Sequence, residues 1–486
     1  MRLTLAEIAA ATGGALCPEV DGSAVCTGIT WDSRAVKPQD LYVALPGERV
    51  DGHDFIESAL QAGASGVLAA REVDPSVPAV VVDDTAAALT ELAAFWRTKL
   101  SGTVIGLTGS SGKTSTKNLV RDVLAHRGTV VATLANQNNE LGVPNTLLGA
   151  EEDTQAVVVE MGMRGLGQIE ELCRCARPDW GLITNIGESH IELLGSRENI
   201  AWAKAELLEA LPDKVGVAFV NAADDFAGEV CRHARLDERG VTTVFYEGYG
   251  AWDYVDELEI QAHGNPFVWA SDIQYDSESR PTFTLHAAGF QQLGNCHADG
   301  EVRCALELRG AHNVSNACAA TAVGLASGMT LAECAEALAS SQPEKGRQQV
   351  ARTADGVTIV DDSYNANPDS MRASLATFSA LAVDGRRIAV LGDMLELGSF
   401  SQECHERVGA YAAASSIDFL VCVGELSGFI AQSAQDNGMS PESIVRCPDA
   451  ESALAIVSEQ VKPGDAVLVK ASHSIGLDAV AKGLVS

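Results

Sequence analysis

Short apolar runs recur along this chain, and stretches with apolar residues at helical spacing separate most of them. Apolar runs joined through helices predict parallel strands covered on both faces, so the pattern is that of an α/β protein. In the middle of the chain the predicted strands are Val104–Leu107, Val130–Ala132, Ala156–Glu160, Gly181–Thr184 and Val217–Val220, with helices near 312–327 and 331–340. A second series starts near Pro343, with strands Thr358–Val360, Arg387–Leu391, Phe419–Val423 and Ala466–Lys470. Its intervening helices make it doubly wound. Residues 1–100 are a smaller mixture, with strands at 40–45 and 79–82, helices at 55–62 and 86–100, and an opening amphipathic helix that stops at Gly13-Gly14. Residues 225–308 break the pattern. They are rich in acids, glycine and aromatics, carry strand-like Val244–Tyr246 and Phe283–His286, and read as an antiparallel excursion of the central domain.

The expected fold is therefore α/β in three domains. Residues 1–100 form a small N-terminal α/β domain, 101–342 a central domain with a mainly parallel sheet, and 343–486 a C-terminal doubly wound domain. A chain of 486 residues is too long for one ordinary domain.

Charge narrows the partners. The formal net charge of −32 repels nucleic acid and anionic membranes. No apolar run approaches the roughly 18 residues of a membrane span, and an acid interrupts the first apolar stretch, unlike a signal peptide. The twelve cysteines are scattered, and Cys173 and Cys175 are too close for a zinc pair without further ligands. Reduced, mostly buried thiols, a cytoplasmic location, no membrane insertion and a monomer are expected.

Residues 106–116 read Gly-Leu-Thr-Gly-Ser-Ser-Gly-Lys-Thr-Ser-Thr, between a predicted strand and a predicted helix. Glycines let backbone N–H groups turn inward around phosphate oxygens, and the helix start adds about half a positive charge. Leu107 replaces the first glycine of the strict pattern, while Gly109 and Gly112 remain. Lys113 can reach the outer phosphates and Thr114 can bind Mg²⁺. Thr108, Gly109, Ser110, Ser111, Gly112, Lys113, Thr114 and Ser115 are the candidate nucleotide-binding residues, for ATP or GTP.

Other polar residues fall at strand ends, where α/β sheets bind ligands. Glu160 ends an apolar strand beside the loop and can hold Mg²⁺, or simply face solvent. His190 follows the next strand, with Glu192 near enough to fix its tautomer. Lys204 lies in a helical run and is either a solvated lysine or a buried one carbamylated by CO₂. Asn313 and Asn316 share a helix face, where they can read a purine edge or cap the helix. Arg347 can neutralise a transferring phosphoryl group. Asp361-Asp362 leads into Ser363-Tyr364-Asn365-Ala366-Asn367-Pro368-Asp369-Ser370-Met371, a second ligand-binding strand end.

These residues, with Trp31-Asp32-Ser33-Arg34, Asn138-Asn139-Glu140-Leu141-Gly142-Val143-Pro144, Leu391-Gly392-Asp393-Met394 and Glu396-Leu397-Gly398, resemble the ATP-dependent Mur ligases of bacterial cell-wall synthesis. Within them the Asn138–Pro144 and Ser363–Met371 runs are similar to the MurF type, which joins D-alanyl-D-alanine to UDP-N-acetylmuramoyl-tripeptide. The resemblance implies that Lys113 and Thr114 hold the β/γ-phosphates and one Mg²⁺. It implies that Glu160 and His190 hold a second Mg²⁺, supported by carbamylated Lys204. It also puts Asn313 and Asn316 at adenine, Arg347 at the γ-phosphate and Asp362 at the ribose. Asp32, Ser33 and Arg34 would lie toward the UDP-sugar, Asn365 and Asn367 where the incoming dipeptide docks, and Asn138 and Asn139 among the substrate-binding residues. Another Mur-type or folylpolyglutamate ligase is the nearest alternative, and a P-loop kinase or regulatory ATPase a more distant one. One departure stands out: Lys470-Ala471-Ser472-His473 occupies the place of the family's Lys-Gly-Ser-Arg.

Overall fold

In the computed structural model, residues 1–47, 50–248 and 264–485 are described. The opening helix, Leu5–Thr12, begins at a Thr4–Glu7 capping box and ends where Gly13 takes a φ of 66°. Behind it lies a sheet in the order Ala15–Leu16, Ala79–Val81, Gly66–Ala69, Asp40–Val43, Gly28–Thr30. The predicted strands at 40–45 and 79–82 are both present and end slightly earlier. The predicted helix at 55–62 is split into a 3₁₀ turn, Gly52–Phe55, and a helix, Ile56–Gln61. Thr85–Arg97 forms the long helix of this region, started by the Asp84 carboxylate on the Ala86 and Ala87 N–H groups. Its Trp96 is fully buried and donates to the Ala150 carbonyl at 3.0 Å, which ties the first region to the second.

Nine described strands make the central sheet. Their order is Gly300–Ala305, Pro281–Ala288, Phe267–Tyr275, Thr242–Glu247, Val217–Asn221, Trp180–Ile183, Thr103–Thr108, Ala156–Glu160, Val130–Ala132. From Thr103–Thr108 the chain runs out to Val130–Ala132, returns to Ala156–Glu160, then crosses to Trp180–Ile183. The direction of winding reverses beside Thr103–Thr108, and ligands bind at such a reversal. Register pairs Glu160 with Leu107 and Ile183 with Thr108, so three strand ends open on one edge.

The antiparallel excursion begins later than expected. Thr242–Glu247 pairs in parallel with Val217–Asn221, and Phe267–Tyr275 in parallel with Thr242–Glu247. Val244, Phe245 and Tyr246 are all buried, as a strand covered on both faces requires. Only Phe267–Tyr275, Pro281–Ala288 and Gly300–Ala305 pair antiparallel, and Pro281–Ala288 alternates buried with half-buried positions. Residues 249–263 of that stretch lie outside the described residues.

The third sheet has the order Gln349–Arg352, Thr358–Asp361, Ala466–Lys470, Arg387–Gly392, Phe419–Val423, Ile444–Cys447. Its inner strands match the apolar runs. The outer two, Gln349–Arg352 and Ile444–Cys447, fall outside the predicted strands: each is four residues long and is interrupted or bounded by polar or charged side chains, so neither forms a continuous apolar run. All twelve cysteines are unpaired, and Cys296 is the exposed one. Among the described residues, no helix is long and apolar enough to cross a membrane.

Candidate active site

A cavity of about 1280 Å³ lies between the second and third sheets and takes its walls from both. Its floor is the phosphate loop. Gly109 has a φ of 155°, and a Cβ there would stand 1.8 Å from Thr184 Oγ1, so only glycine fits. Ser110 and Ser111 donate their N–H groups to the Asn185 carbonyl and to Asn185 Oδ1, at 3.0 and 2.9 Å. Thr184 Oγ1 donates to the Ser111 carbonyl at 2.7 Å. The next strand thus braces the loop. Gly112, at φ 73°, turns the chain into helix Lys113–Ala125. Lys113 Nζ folds back on the Gly109 carbonyl at 2.7 Å. Burial lowers its pKa, with Glu160 acting in the opposite sense.

Glu160 is 1% exposed. Its Oε1 accepts from Asn138 Nδ2 at 2.9 Å and from Thr114 Oγ1 at 3.3 Å. Its Oε2 is buried without a hydrogen bond, and Lys117 Nζ stands 3.8 Å away. Lys117, one helical turn past Lys113, is itself buried and donates to the Thr133 and Ala135 carbonyls. An orphaned carboxylate oxygen beside a threonine hydroxyl suits a hard divalent cation. Among the described residues no three His, Cys, Asp or Glu side chains form a metal cage.

His190 and Lys204 approach from Thr184–Glu209. His190 has a left-handed φ of 64°, and its Nδ1 lies 2.7 Å from Glu396 Oε2 of the third region, an ion-pair contact rather than an aligned hydrogen bond. Burial lowers the His190 pKa, and Glu396 works against that. Lys204, on helix Arg197–Glu209, is 1% exposed. Burial, reinforced by the charge of Lys113, pushes its pKa well below the ordinary lysine value. A solvated lysine is thereby excluded.

Asn313 and Asn316 do share one face of helix His312–Ala326, and both line the cavity. Their amides are linked, Asn316 Nδ2 donating to Asn313 Oδ1 at 2.8 Å, while Thr116 Oγ1 donates to Asn316 Oδ1 at 3.0 Å. Burial takes the neighbouring His312 down to about 4.

The third region closes the cavity. Arg347 Nη2 donates to Thr114 Oγ1 at 2.8 Å, and its guanidinium lies 4.2 Å from the Tyr364 ring centre. Asn367 caps helix Pro368–Ala380 and donates to Ser189 Oγ at 2.8 Å. Asp362 accepts from Gln348 N on Oδ1, and from Lys470 Nζ at 2.8 Å and Ser374 Oγ on Oδ2. Asn138, Asn139 and Asn365 line the same cavity. Asp32, Ser33 and Arg34 do not. Asp32 and Arg34 instead form a local bidentate pair on an exposed turn of the first region.

Sequence reasoning passed over Lys117, and it named Lys470 and Tyr364 only as members of motifs, without a role of their own. Only Lys117 carried a signal, its spacing of one helical turn from Lys113.

A model of the Mur ligase middle domain matches residues 107–324, one of the Mur ligase glutamate ligase domain residues 346–473, and one of the Mur ligase family catalytic domain residues 25–97. A UDP-N-acetylmuramoyl-tripeptide–D-alanyl-D-alanine ligase of Mycobacterium tuberculosis is 39% identical over 532 residues, covering 100% of this chain and 98% of that one. A crystal structure of MurF from Acinetobacter baumannii superposes with a TM-score of 0.83 at 29% identity, over 100% of this chain and 99% of that one. MurF from Thermotoga maritima in complex with ADP gives a TM-score of 0.74 at 29% identity, over 94% and 96%. The chain belongs to the Mur ligase family and, within it, to the MurF type.

Proposed function

We propose that this chain joins D-alanyl-D-alanine to UDP-N-acetylmuramoyl-tripeptide with hydrolysis of ATP to ADP and phosphate, in peptidoglycan precursor synthesis. One observation carries the reading: the loop lysine, an orphaned carboxylate oxygen and an arginine from another region converge on one cavity. That convergence occurs in a chain whose tripeptide–D-alanyl-D-alanine ligase relatives match it from end to end.

A carboxylate is a poor electrophile. The tripeptide carboxylate oxygen therefore attacks the γ-phosphorus of ATP, ADP leaves, and an acyl phosphate forms. The dipeptide amine then attacks the acyl carbon, and phosphate leaves. Lys113 and Arg347 offset charge on the transferring phosphoryl group. Seating the third region over the loop excludes water that would hydrolyse the acyl phosphate. Thr114 would hold one Mg²⁺, and Glu160, His190 and Lys204 as a carbamate would hold a second. When bound, these ions neutralise phosphate charge. Burial of Lys204 and the charge of Lys113, which both lower its pKa, support that assignment, since carbamylation needs a neutral amine.

Residues 1–100 are assigned to the UDP-sugar, 101–342 to ATP and 343–486 to ligation. Asn313 and Asn316 are assigned to adenine and Asp362 to the ribose. Asp32, Ser33 and Arg34 are assigned to the UDP-sugar, Asn365 and Asn367 to the incoming dipeptide, and Asn138 and Asn139 to substrate binding. A cytoplasmic monomer follows from the same reading. Mass spectrometry of products from UDP-muramoyl peptides, ATP, Mg²⁺ and D-alanyl-D-alanine tests it. A pentapeptide product formed only when every component is present is expected, and phosphate release without an amide product would overturn it.

A further inference from the structure

The loop after strand Arg387–Gly392 is rigidly built. The Asp393 carbonyl accepts from Ser472 N at 3.0 Å, and its carboxylate from Ser427 N at 2.6 Å. Met394 N–H donates to His405 Nε2 at 3.0 Å, while His405 Nδ1 lies 2.7 Å from the Ser401 carbonyl. Those partners require the Nδ1–H tautomer of a fully buried ring. Leu395 N–H donates to Ser472 Oγ at 3.0 Å.

Glu396 follows, with a left-handed φ of 61°, uncommon for a residue other than glycine. That turn carries its carboxylate out of the third region to His190 Nδ1, at 2.7 Å. Arg164 Nη2, largely exposed, stands 3.5 Å away on the other side. Two residues on, Gly398 lies against Glu192, and a Cβ there would stand 2.6 Å from Glu192 Cγ. The loop therefore seats at two neighbouring points of the segment His190–Glu192. A neutral imidazole has one donor and one acceptor nitrogen. A carboxylate held at Nδ1 keeps the proton there and leaves the Nε2 lone pair free.

We propose that Glu396 is a positioning residue supplied by the third region: its carboxylate, 2.7 Å from His190 Nδ1, favours the proton on that nitrogen and leaves Nε2 to ligate the metal, so the His190 metal site is complete only when that region is seated. This rests on the reading of His190 as a ligand. Seating of the third region, which other contacts also hold, is then required for the metal site but does not depend on it alone.

The test reads metal rather than turnover. Mn²⁺ binding to the full chain, with a non-hydrolysable ATP analogue, is followed by electron paramagnetic resonance. Glu396→Ala should weaken Mn²⁺ binding up to about tenfold, the lower end of the cost of losing such an outer partner and no more than His190→Ala costs. Glu396→Gln, which keeps an oxygen within reach of Nδ1 but not the charge, should lose less. Compaction on analogue binding, read by small-angle scattering, should persist in both, because Arg347–Thr114, Asn367–Ser189 and Arg407–Glu188 still join the regions. In a His190→Ala background, Glu396→Ala should add less than about twofold, since the two act as one unit. Parent-like Mn²⁺ binding in Glu396→Ala, full additivity with His190→Ala, or loss of compaction would each overturn the proposal. Should His190→Ala itself leave Mn²⁺ binding unchanged, the ligand reading fails and takes this one with it. A silent Glu396→Ala beside an effective His190→Ala sinks the positioning role alone.

Discussion

Two strand ends in this molecule set an acid beside a lysine, and they are built in opposite ways. At the end of Ala156–Glu160, the Glu160 carboxylate has one oxygen without a hydrogen bond, and Lys117 stands off at 3.8 Å. At the end of Thr358–Asp361, the next residue, Asp362, has both oxygens engaged, and Lys470 sits on it at 2.8 Å. Lys470 is 3% exposed and also donates to the Asn365 carbonyl at 2.8 Å. The first arrangement keeps a charge unsatisfied, which costs stability and is sustained where a ligand completes it. The second is a finished ion pair that holds the turn Asp362–Asn367 over the cavity. An acid at a strand end thus says where a ligand binds, and the partners of its oxygens say what it can take: Glu160 has an oxygen open to a cation, whereas Asp362, its charge already paired, has only spare lone pairs for a hydroxyl such as the ribose's.

That contrast is most exposed at the lysines of the central region. Lys113→Ala should lower kcat at least ~1000-fold while the melting temperature stays near that of the parent, because a transition-state charge is lost without core packing. A kcat within about tenfold of the parent, roughly 1.4 kcal/mol, would remove the loop from the chemistry. Lys204→Ala should cost at least ~100-fold, on the scale of losing one charge-stabilising group. Short carboxylic acids should partly restore it by filling the vacated space. Lys204→Arg should stay inactive, since a guanidinium remains a cation and takes no CO₂. An active Lys204→Arg variant would make the lysine structural.

The paired amide substitutions sharpen the comparison further. Asp362→Asn strands the buried Lys470 charge and should destabilise the chain by about 3 kcal/mol. Glu160→Gln removes a charge already short of partners, so thermal unfolding should shift little or upward, with activity lost instead. Equal thermal losses from the two would erase the distinction between the strand ends. The smallest effect is expected at His190. His190→Ala should raise the Mg²⁺ requirement about tenfold, the lower end of losses for a metal-site residue, and leave the KM for ATP nearly unchanged. An unaltered Mg²⁺ titration would take His190 out of the metal site.

Much of the fold is legible in the chain's own pattern. Val104–Leu107, Ala156–Glu160 and Phe419–Val423 are strands because continuous apolar runs bounded by glycine and polar turns have no better place than a buried sheet. The glycines at 109 and 112 announce their loop because the turn needs backbone that a Cβ would block. Edge strands Gln349–Arg352 and Ile444–Cys447 are not legible, because each is four residues long and neither forms a continuous apolar run.

By itself the sequence determined the order of elements, the phosphate loop and the alignment of Glu160 with it, all consequences of spacing along one chain. Only the tertiary structure decided which charges are satisfied. It set Lys470 on Asp362, across 108 positions, and left Glu160 Oε2 open. It brought Glu396 to His190 and Arg347 to Thr114 across the boundary between regions. It left Asp32 and Arg34 paired to each other on an exposed turn outside the cavity. The physical reason is that burial and partner count depend on what packs against a side chain, and residues distant in the chain supply that packing.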